Sequence, residues 1–344
     1  MEIIKKENYQ GYETVLFASD EKTNFKAIIA VHSTILGPAL GGCRMWFYQS
    51  EEEALTDVLR LAEGMTYKNS AMGLNLGGGK AVIIGDPRTD KSAELFARFA
   101  EAVNALGGKY YTAEDVGITP QDMLEVYKHT PYVAGLPAKS GDPSPFTAYG
   151  VYMGMKAAVE KAFGDTSLRG KKVAVQGLGH VGIYLLEHLH QEGAELIVTD
   201  IFEDRINEAV KRFNARFVKP DQIYDVKADI FAPCALGAIL NENTIPRLQV
   251  KVVAGAANNQ LEKLTDGKLL EERGIVYAPD FIINGGGVIN VAEELNPEGY
   301  DKNRAKAKVA TIYDKVKEVL ALAQEQKITP QEAAIIYAKK RLER

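Results

Sequence analysis

Lys172–Gln176, a short run of strand character, leads straight into Gly177-Leu178-Gly179-His180-Val181-Gly182, and the residues that follow have helical periodicity. A glycine-rich turn between strand and helix has few structural solutions. The first glycine permits the tight turn, the second lets the backbone approach a ligand closely, and the third lets helix and strand pack. The helix N-terminus beyond it offers free N–H groups and the positive end of a dipole, which suits a pyrophosphate. Alone the pattern is weak, because glycine turns are common in any strand–helix unit. The next strand, Leu196–Thr199, ends at Asp200, about 20 residues on, where a carboxylate can accept from both hydroxyls of an adenosine ribose. Asp200 would repel the 2′-phosphate of NADP, and Ile201 offers no compensating cation. The expected cofactor is therefore NAD, bound by Gly177, Gly179, Gly182 and Asp200. The plain alternative has Asp200 capping the next helix.

Strand and helix continue to alternate. Helices are expected to about Gln191 and from Asp204, strands at Ile230–Phe231, Val252–Ala254 and Val276–Ala278, then helices over Arg304–Gln324 and after a Thr329-Pro330 cap. Such repetition predicts a parallel sheet covered on both faces. At 344 residues the chain exceeds what one core usually serves. The stretch Pro137–Pro145, rich in Pro, Gly and Ser, marks the expected boundary. The expected fold class is α/β with two domains: an N-terminal mixed-sheet substrate domain over 1–140 and a Rossmann-type doubly wound NAD-binding domain over 141–325. Residues 326–344 form a C-terminal helix expected to pack back on the first domain. A Pro/Gly linker between two domains suggests hinge closure over a substrate.

The first domain reads as strands around Val15–Phe17 and Ala27–Val31, then a helix opened by a Ser50–Glu53 capping box. Ala54, Val58, Leu61 and Met65 run down one face of that helix, and Lys68 continues the stripe. After Gly77-Gly78-Gly79-Lys80 come the apolar run Ala81–Ile84, a helix over Ala93–Leu106 and the strand Tyr110–Thr112, which leads into Ala113-Glu114-Asp115. Thr119-Pro120 opens another helix.

Lys68, Lys80 and Asp115 look out of place in a purely structural reading, since a half-buried lysine is costly unless paired or functional. Each also has a plain explanation: Lys68 snorkelling past a helix end, Lys80 exposed, Asp115 capping a turn. Gly-Gly-Lys is not a phosphate loop, because Leu74 and Ala81 stand where that pattern needs Gly and Ser or Thr. The net charge of −5 is spread without a basic stripe, which argues against nucleic acid. No apolar run approaches the roughly 20 residues needed to span a bilayer, and the N-terminus lacks an apolar signal core, so a cytoplasmic location is expected. Two cysteines, Cys43 and Cys234, make no disulfide framework, and the five histidines form no ligand pattern, so no metal is expected.

Several blocks recur together: Leu36–Gly42, Gly64–Asn69, Leu76–Lys80, Thr112–Gly117, Ala232–Leu236, Ala254–Asn259, Ala278–Asp280 and Gly286–Asn290. In this order they resemble the glutamate, leucine, phenylalanine and valine dehydrogenase family over nearly the whole chain, its leucine-using members most. The resemblance implies that Lys68 binds the substrate α-carboxylate, that Lys80 is the catalytic base and that Asp115 assists proton transfer. A second cation nearby disfavours a charged lysine, so clustering Lys68 with Lys80 would help Lys80 lose its proton.

By the same resemblance Ser144 and Thr147 approach the nicotinamide, with Asn258 and Asn259 near nicotinamide and substrate; read alone, Ser144 and Thr147 are simple helix caps. Gly41, Gly42 and Met65 belong to the implied substrate site, and Leu40, Ala113, Val288 and Val291 to an apolar pocket wall. Glutamate-using relatives carry lysine where this chain has Leu40. The implied activity is NAD-dependent oxidative deamination of leucine and other branched-chain amino acids by a homo-oligomer, commonly an octamer. Alternatives are a phenylalanine- or tryptophan-preferring member and a non-catalytic NAD-binding regulator. Cys43, Ala134 and Gly285 depart from the family pattern, and Gly182 supplies a third glycine that leucine-type relatives often lack.

Overall fold

Period-two alternation along the N-terminal strands decides the layers they build. In the computed structural model, which describes residues 1–343, the chain divides into two units. The first comprises Met1–Asp142, Val291–Lys302 and the tail from Ala338; the second comprises Pro143–Asn290 and Asn303–Tyr337.

The first unit holds β1 (Glu2–Tyr9), β2 (Tyr12–Asp20), β3 (Phe25–Ser33), β4 (Ala39–Trp46), α1 (Glu51–Ala71), β5 (Gly77–Ile84), α2 (Ala93–Asn104), β6 (Tyr110–Ala113) and α3 (Pro120–Tyr127). The sheet order is β1-β2-β3-β5-β4-β6, with β1, β2, β3 and β5 antiparallel in turn and β5, β4 and β6 mutually parallel. Ile28, Ala30 and Val82 face Ala54, Val58 and Ala62 of α1. Ile29, Val31, Cys43, Met45, Ala81 and Ile83 point the other way, into a core with Phe96, Phe99 and Met123 of α2 and α3. A mixed sheet thus lies between α1 and the pair α2 and α3.

Half of the expected capping box opens α1: Ser50 Oγ accepts from Glu53 N at 3.1 Å, but the Glu53 carboxylate accepts from Gln49 N instead of the Ser50 N–H. The buried face of α1 differs from the expected stripe. It runs Ala54, Val58, Ala62, Thr66 and Asn69, which leaves Leu61, Met65 and Lys68 half-buried on its flank. The cause is Gly78, where a Cβ would overlap the Thr66 backbone, so the helix seats its polar Thr66 directly on the glycine strand.

The second unit holds α4 (Ser144–Phe163), β7 (Lys172–Gln176), α5 (His180–Glu192), β8 (Glu195–Thr199), α6 (Glu203–Phe213), β9 (Arg216–Phe217), β10 (Ile230–Pro233), β11 (Val252–Val253), α7 (Asp266–Glu272), β12 (Val276–Tyr277), α8 (Asp280–Ile283), α9 (Gly286–Ala292), α10 (Lys302–Ala310), α11 (Ile312–Gln326) and α12 (Pro330–Lys339). All its strands are parallel, in the order β12-β11-β10-β7-β8-β9. Counted from β7 this is the doubly wound order 3-2-1-4-5-6, whose reversal between β7 and β10 is where such sheets bind ligands.

Two expectations for helices are corrected. Helix α4 already includes Ser144, with Pro143 before it as the cap position, because Pro145 fits a first helical turn. Ser144 and Thr147 are therefore not caps, and Thr147 Oγ1 donates back to the Pro143 carbonyl at 3.1 Å. The span Arg304–Gln324 is not one helix but two. Thr311 donates to the Lys308 carbonyl through both its N–H, at 3.2 Å, and its hydroxyl, at 2.7 Å, which tightens the turn and breaks the ladder. Among the described residues, no helix is long and apolar enough to cross a membrane.

Candidate active site

Glycines in adjacent parallel strands of the first unit remove side chains where charged groups must come close. A Cβ on Gly42 would lie 2.8 Å from Asp115 Cβ, so only glycine lets β4 pass the loop that carries this aspartate. That loop is fixed on its far side by Gly117, at φ +79°, where a Cβ would overlap the Met45 carbonyl. Ile118 N donates to Asp115 O and Met45 N to Val116 O, both at 2.9 Å. Strand alternation puts Lys80 on the same side of β5 as Gly78 and Val82, the side covered by α1.

There Lys80, only 5% exposed, meets Asp115 across a 3.0 Å gap from Nζ to Oδ1. Two residues that the sequence picks out 35 positions apart thus form one ion pair. Asn69, buried on α1, donates to the carbonyls of Leu40 at 3.1 Å and Gly77 at 2.6 Å, tying the helix to both glycine strands. Tyr110 OH donates to the Gly41 carbonyl at 2.7 Å. A Cβ on Gly41 would come 3.3 Å from Met65 Cγ. Leu40, Ala113 and Val291 are buried, and Lys68 is half-buried in the last turn of α1.

Several charged groups here have no sequence motif to announce them. Arg44 Nε reaches Asp115 Oδ2 at 3.0 Å, and its Nη1 reaches Asp57 Oδ2 at 2.9 Å. Tyr48 OH donates to the same Asp57 oxygen at 2.7 Å. Burial alone would raise the Asp115 carboxyl, but Lys80 and Arg44 outweigh it and hold it below the ordinary carboxylate range. Glu114 goes the other way: burial, with Asp142 and Asp115 nearby, pushes its carboxyl up to about 7. The signal for Arg44 was only its parity in β4, which it shares with Gly42.

In the second unit the glycine turn behaves as its three positions require. Gly177, at φ +99°, would place a Cβ 2.8 Å from Ala235 Cβ, and a Cβ on Gly182 would overlap the Gly177 carbonyl. Gly179 differs, since its nearest neighbour would be Arg205 Nη1 at 4.0 Å. Its missing side chain leaves open space at the start of α5, whose first turn has no side-chain cap among the described residues. Asp200 accepts from Leu178 N at 2.6 Å and from Phe202 N at 2.9 Å, so it braces the turn and also starts the α6 segment.

A cation stands near this turn after all. The Arg205 guanidinium lies over the Phe202 ring, 4.5 Å from its centroid, one helical turn beyond Ile201. Elsewhere in this unit, Asn284 donates through one amide nitrogen to the Ala256 carbonyl at 3.1 Å and to Asn258 Oδ1 at 2.7 Å. Because a backbone carbonyl only accepts, the Asn284 amide is oriented, and so is the Asn258 amide that faces it. Asn259 adopts φ +49°, and its carbonyl accepts from Ala238 N at 2.7 Å. Gly287, where a Cβ would sit 2.6 Å from Thr147 Oγ1, brings the segment carrying Val288 against α4. Ser144 is buried in the first turn of α4. Among the described residues, no group of three His, Cys, Asp or Glu side chains could hold a metal ion.

An uncapped helix start behind an open glycine is a row of backbone donors awaiting a pyrophosphate, the need of a pyridine-nucleotide-dependent dehydrogenase. Residues 12–132 match the family model for the Glu/Leu/Phe/Val dehydrogenase dimerisation domain, and residues 142–202 and 198–344 match that for Glutamate/Leucine/Phenylalanine/Valine dehydrogenase. The chain belongs to this family of amino-acid dehydrogenases. It is 58% identical to the leucine dehydrogenase of Thermoactinomyces intermedius, over 96% of this chain and 91% of that one. To the leucine dehydrogenase of Geobacillus stearothermophilus it is 56% identical, over 100% and 94%. The solved L-tryptophan dehydrogenase of Nostoc punctiforme superposes with a TM-score of 0.86 at 44% identity, covering 97% of this chain and 96% of that one.

Proposed function

We propose that this chain catalyses the reversible NAD-dependent oxidative deamination of leucine, and of isoleucine and valine, to 2-oxo acids and ammonia, in the cytoplasm. The observation that carries the reading is the ion pair of buried Lys80 with half-buried Asp115, 3.0 Å apart beside the glycine strands. A lysine enclosed in this way serves proton transfer, and an aspartate in contact with it accepts or returns the proton.

NAD supplies the hydride acceptor that converts the amino acid to its imino acid. Residues of this chain do the rest. Lys68 and the backbone amides at Gly41 and Gly42 anchor the α-carboxylate and Met65 packs against the substrate, which together fix the α-carbon. Lys80 takes a proton from the water that adds to the imino carbon, and Asp115 relays protons until ammonia departs. Gly177, Gly179 and Gly182 shape the pyrophosphate cradle, Asp200 takes the adenosine ribose, and Ser144, Thr147 and Asn258 serve the nicotinamide end.

Buried apolar Leu40, Ala113 and Val291 of the first unit select an aliphatic side chain, a role that the family resemblance gives also to Val288, with Asn259 serving substrate binding. Each buried CH₂ contributes roughly 0.8 kcal/mol, while a second carboxylate against Leu40 would be desolvated without compensation. The identity to relatives named for leucine, 58% and 56%, exceeds the 44% to the solved tryptophan dehydrogenase, which favours leucine over an aromatic substrate. The working form is a homo-oligomer, an octamer by family resemblance. Exposed Ile3 and Ile4 on the edge strand β1 fit a strand that pairs with another copy, and light scattering tests this.

The test of function is reduction of NAD and of NADP across a panel of amino acids. Leucine with NAD should give the highest kcat/KM, with isoleucine and valine within about 10- to 200-fold. A phenylalanine kcat/KM about tenfold above that for leucine, or faster turnover with NADP, overturns the substrate or cofactor assignment respectively.

A further inference from the structure

Asp115 is held by two cations that differ in kind. Oδ1 faces Lys80 Nζ and Oδ2 faces Arg44 Nε, each at 3.0 Å. Lysine can give up its proton, whereas a guanidinium keeps its charge throughout the working pH range. Arg44 is itself clamped: its Nη1 meets Asp57 Oδ2 at 2.9 Å, the Tyr48 hydroxyl donates to that oxygen at 2.7 Å, and Arg60 stands 3.6 Å from the other Asp57 oxygen. Three elements contribute, since Arg44 lies on β4, Asp57 on α1 and Lys80 on β5. The other titratable groups that act on Asp115 are Cys43 on β4, Tyr48 just after it, Tyr110 on β6 and the adjoining Glu114.

The consequence appears when Lys80 passes its proton on. Asp115 then loses one of its two cationic partners while still half-buried, and a partly desolvated carboxylate with less compensation holds a proton more readily. A permanent cation on the opposite oxygen makes such uptake transient, so that the proton is handed back. We propose that Arg44 is a positioning residue for the reaction: it holds Asp115 anionic at rest and aimed at Lys80, so that a proton Asp115 accepts is returned and not kept, with Asp57 and Tyr48 fixing the plane of its guanidinium. This rests on reading Lys80 and Asp115 as the proton-handling pair. A merely structural tie between β4 and α1 would cost stability and activity without moving any titration.

The experiment measures kcat/KM for leucine with NAD from about pH 6 to about pH 11 for the wild type, R44A, R44K, D57N and K80A, alongside melting curves and NADH binding. Removing a fixed positive charge favours protonation of the groups that face it. The acidic limb of the R44A profile should therefore move up by about 1 unit or more, with kcat down about 10- to 100-fold and NADH binding within about twofold of wild type. R44K restores a charge and should return the limb most of the way. D57N leaves Arg44 less firmly held and should move the limb in the same direction by a smaller amount.

An R44A limb that coincides with wild type, or an R44K limb no nearer to wild type than that of R44A, overturns the proposal. If R44A does not fold, R44K and D57N decide, and a D57N limb superimposed on wild type overturns it. K80A at wild-type turnover instead removes the reading of the pair on which the proposal stands. An inactive K80A with an unmoved R44A limb removes Arg44's role alone.

Discussion

Glu114 and Asp115 are chain neighbours whose carboxyl groups are driven in opposite directions. Burial, with Asp142 and Asp115 close by, pushes Glu114 up to about 7, whereas Lys80 and Arg44 overcome burial and hold Asp115 low. Adjacent positions thus hold one carboxyl that titrates near neutrality and one that rests ionised.

The stability consequence of Glu114 has a definite sign. Its folded-state value lies above the unfolded value of roughly 4.3, so between these the folded chain binds more protons and stability falls as pH rises, levelling off above about 7. Glu114→Gln should remove this slope. Melting temperatures measured from about pH 5 to about pH 8 should show the variant gaining a few degrees on the wild type at the alkaline end. Parallel curves would show that Glu114 does not titrate as described.

Gly42 is expected to tolerate no side chain without moving the aspartate. Gly42→Ala would put its methyl 2.8 Å from Asp115 Cβ. Displacement of a reacting group by about 1 Å can cost about 100-fold in rate, so kcat should fall by that order in a protein that still folds and binds NADH. Unchanged kcat would mean that the loop yields without disturbing the pair.

The second and third glycines of the turn should separate binding from folding. Gly179→Ala meets no protein atom closer than Arg205 Nη1 at 4.0 Å, so its melting temperature should hold while KM for NAD rises about tenfold or more. Gly182→Ala would overlap the Gly177 carbonyl and should destabilise the second unit by about 1–3 kcal/mol. Equal effects of the two variants on both readouts would contradict the assignment of the open side of the turn to the cofactor.

The parallel sheet was legible because short apolar runs such as Val173–Val175 and Leu196–Val198 stand between glycines and helical periodicity, and buried strands have no polar face to blur them. Strand β1 left no such trace, since Glu2–Tyr9 is an exposed edge with polar residues on both faces. Nor did β4, where Gly41 and Gly42 lower strand propensity for the sake of close approach. The break at Thr311 depends on one hydroxyl in an otherwise helical pattern, and no periodicity reveals it.

Of the site, Lys80 and Asp115 could be named through family resemblance, but their contact could not. Arg44 escaped because its partner Asp115 lies 71 residues away and only the β4–β6 pairing brings them together. Arg205 escaped because a helix face, not a motif, carries it toward the glycine turn.

The central claim is that Lys80 moves the proton. Its most direct test is leucine-dependent NADH formation by Lys80→Ala, read together with the variant's melting curve and NADH binding. The expected result is a loss of about 100- to 10,000-fold in kcat/KM with folding and NADH binding retained. Turnover within about twofold of wild type in that folded protein would contradict it.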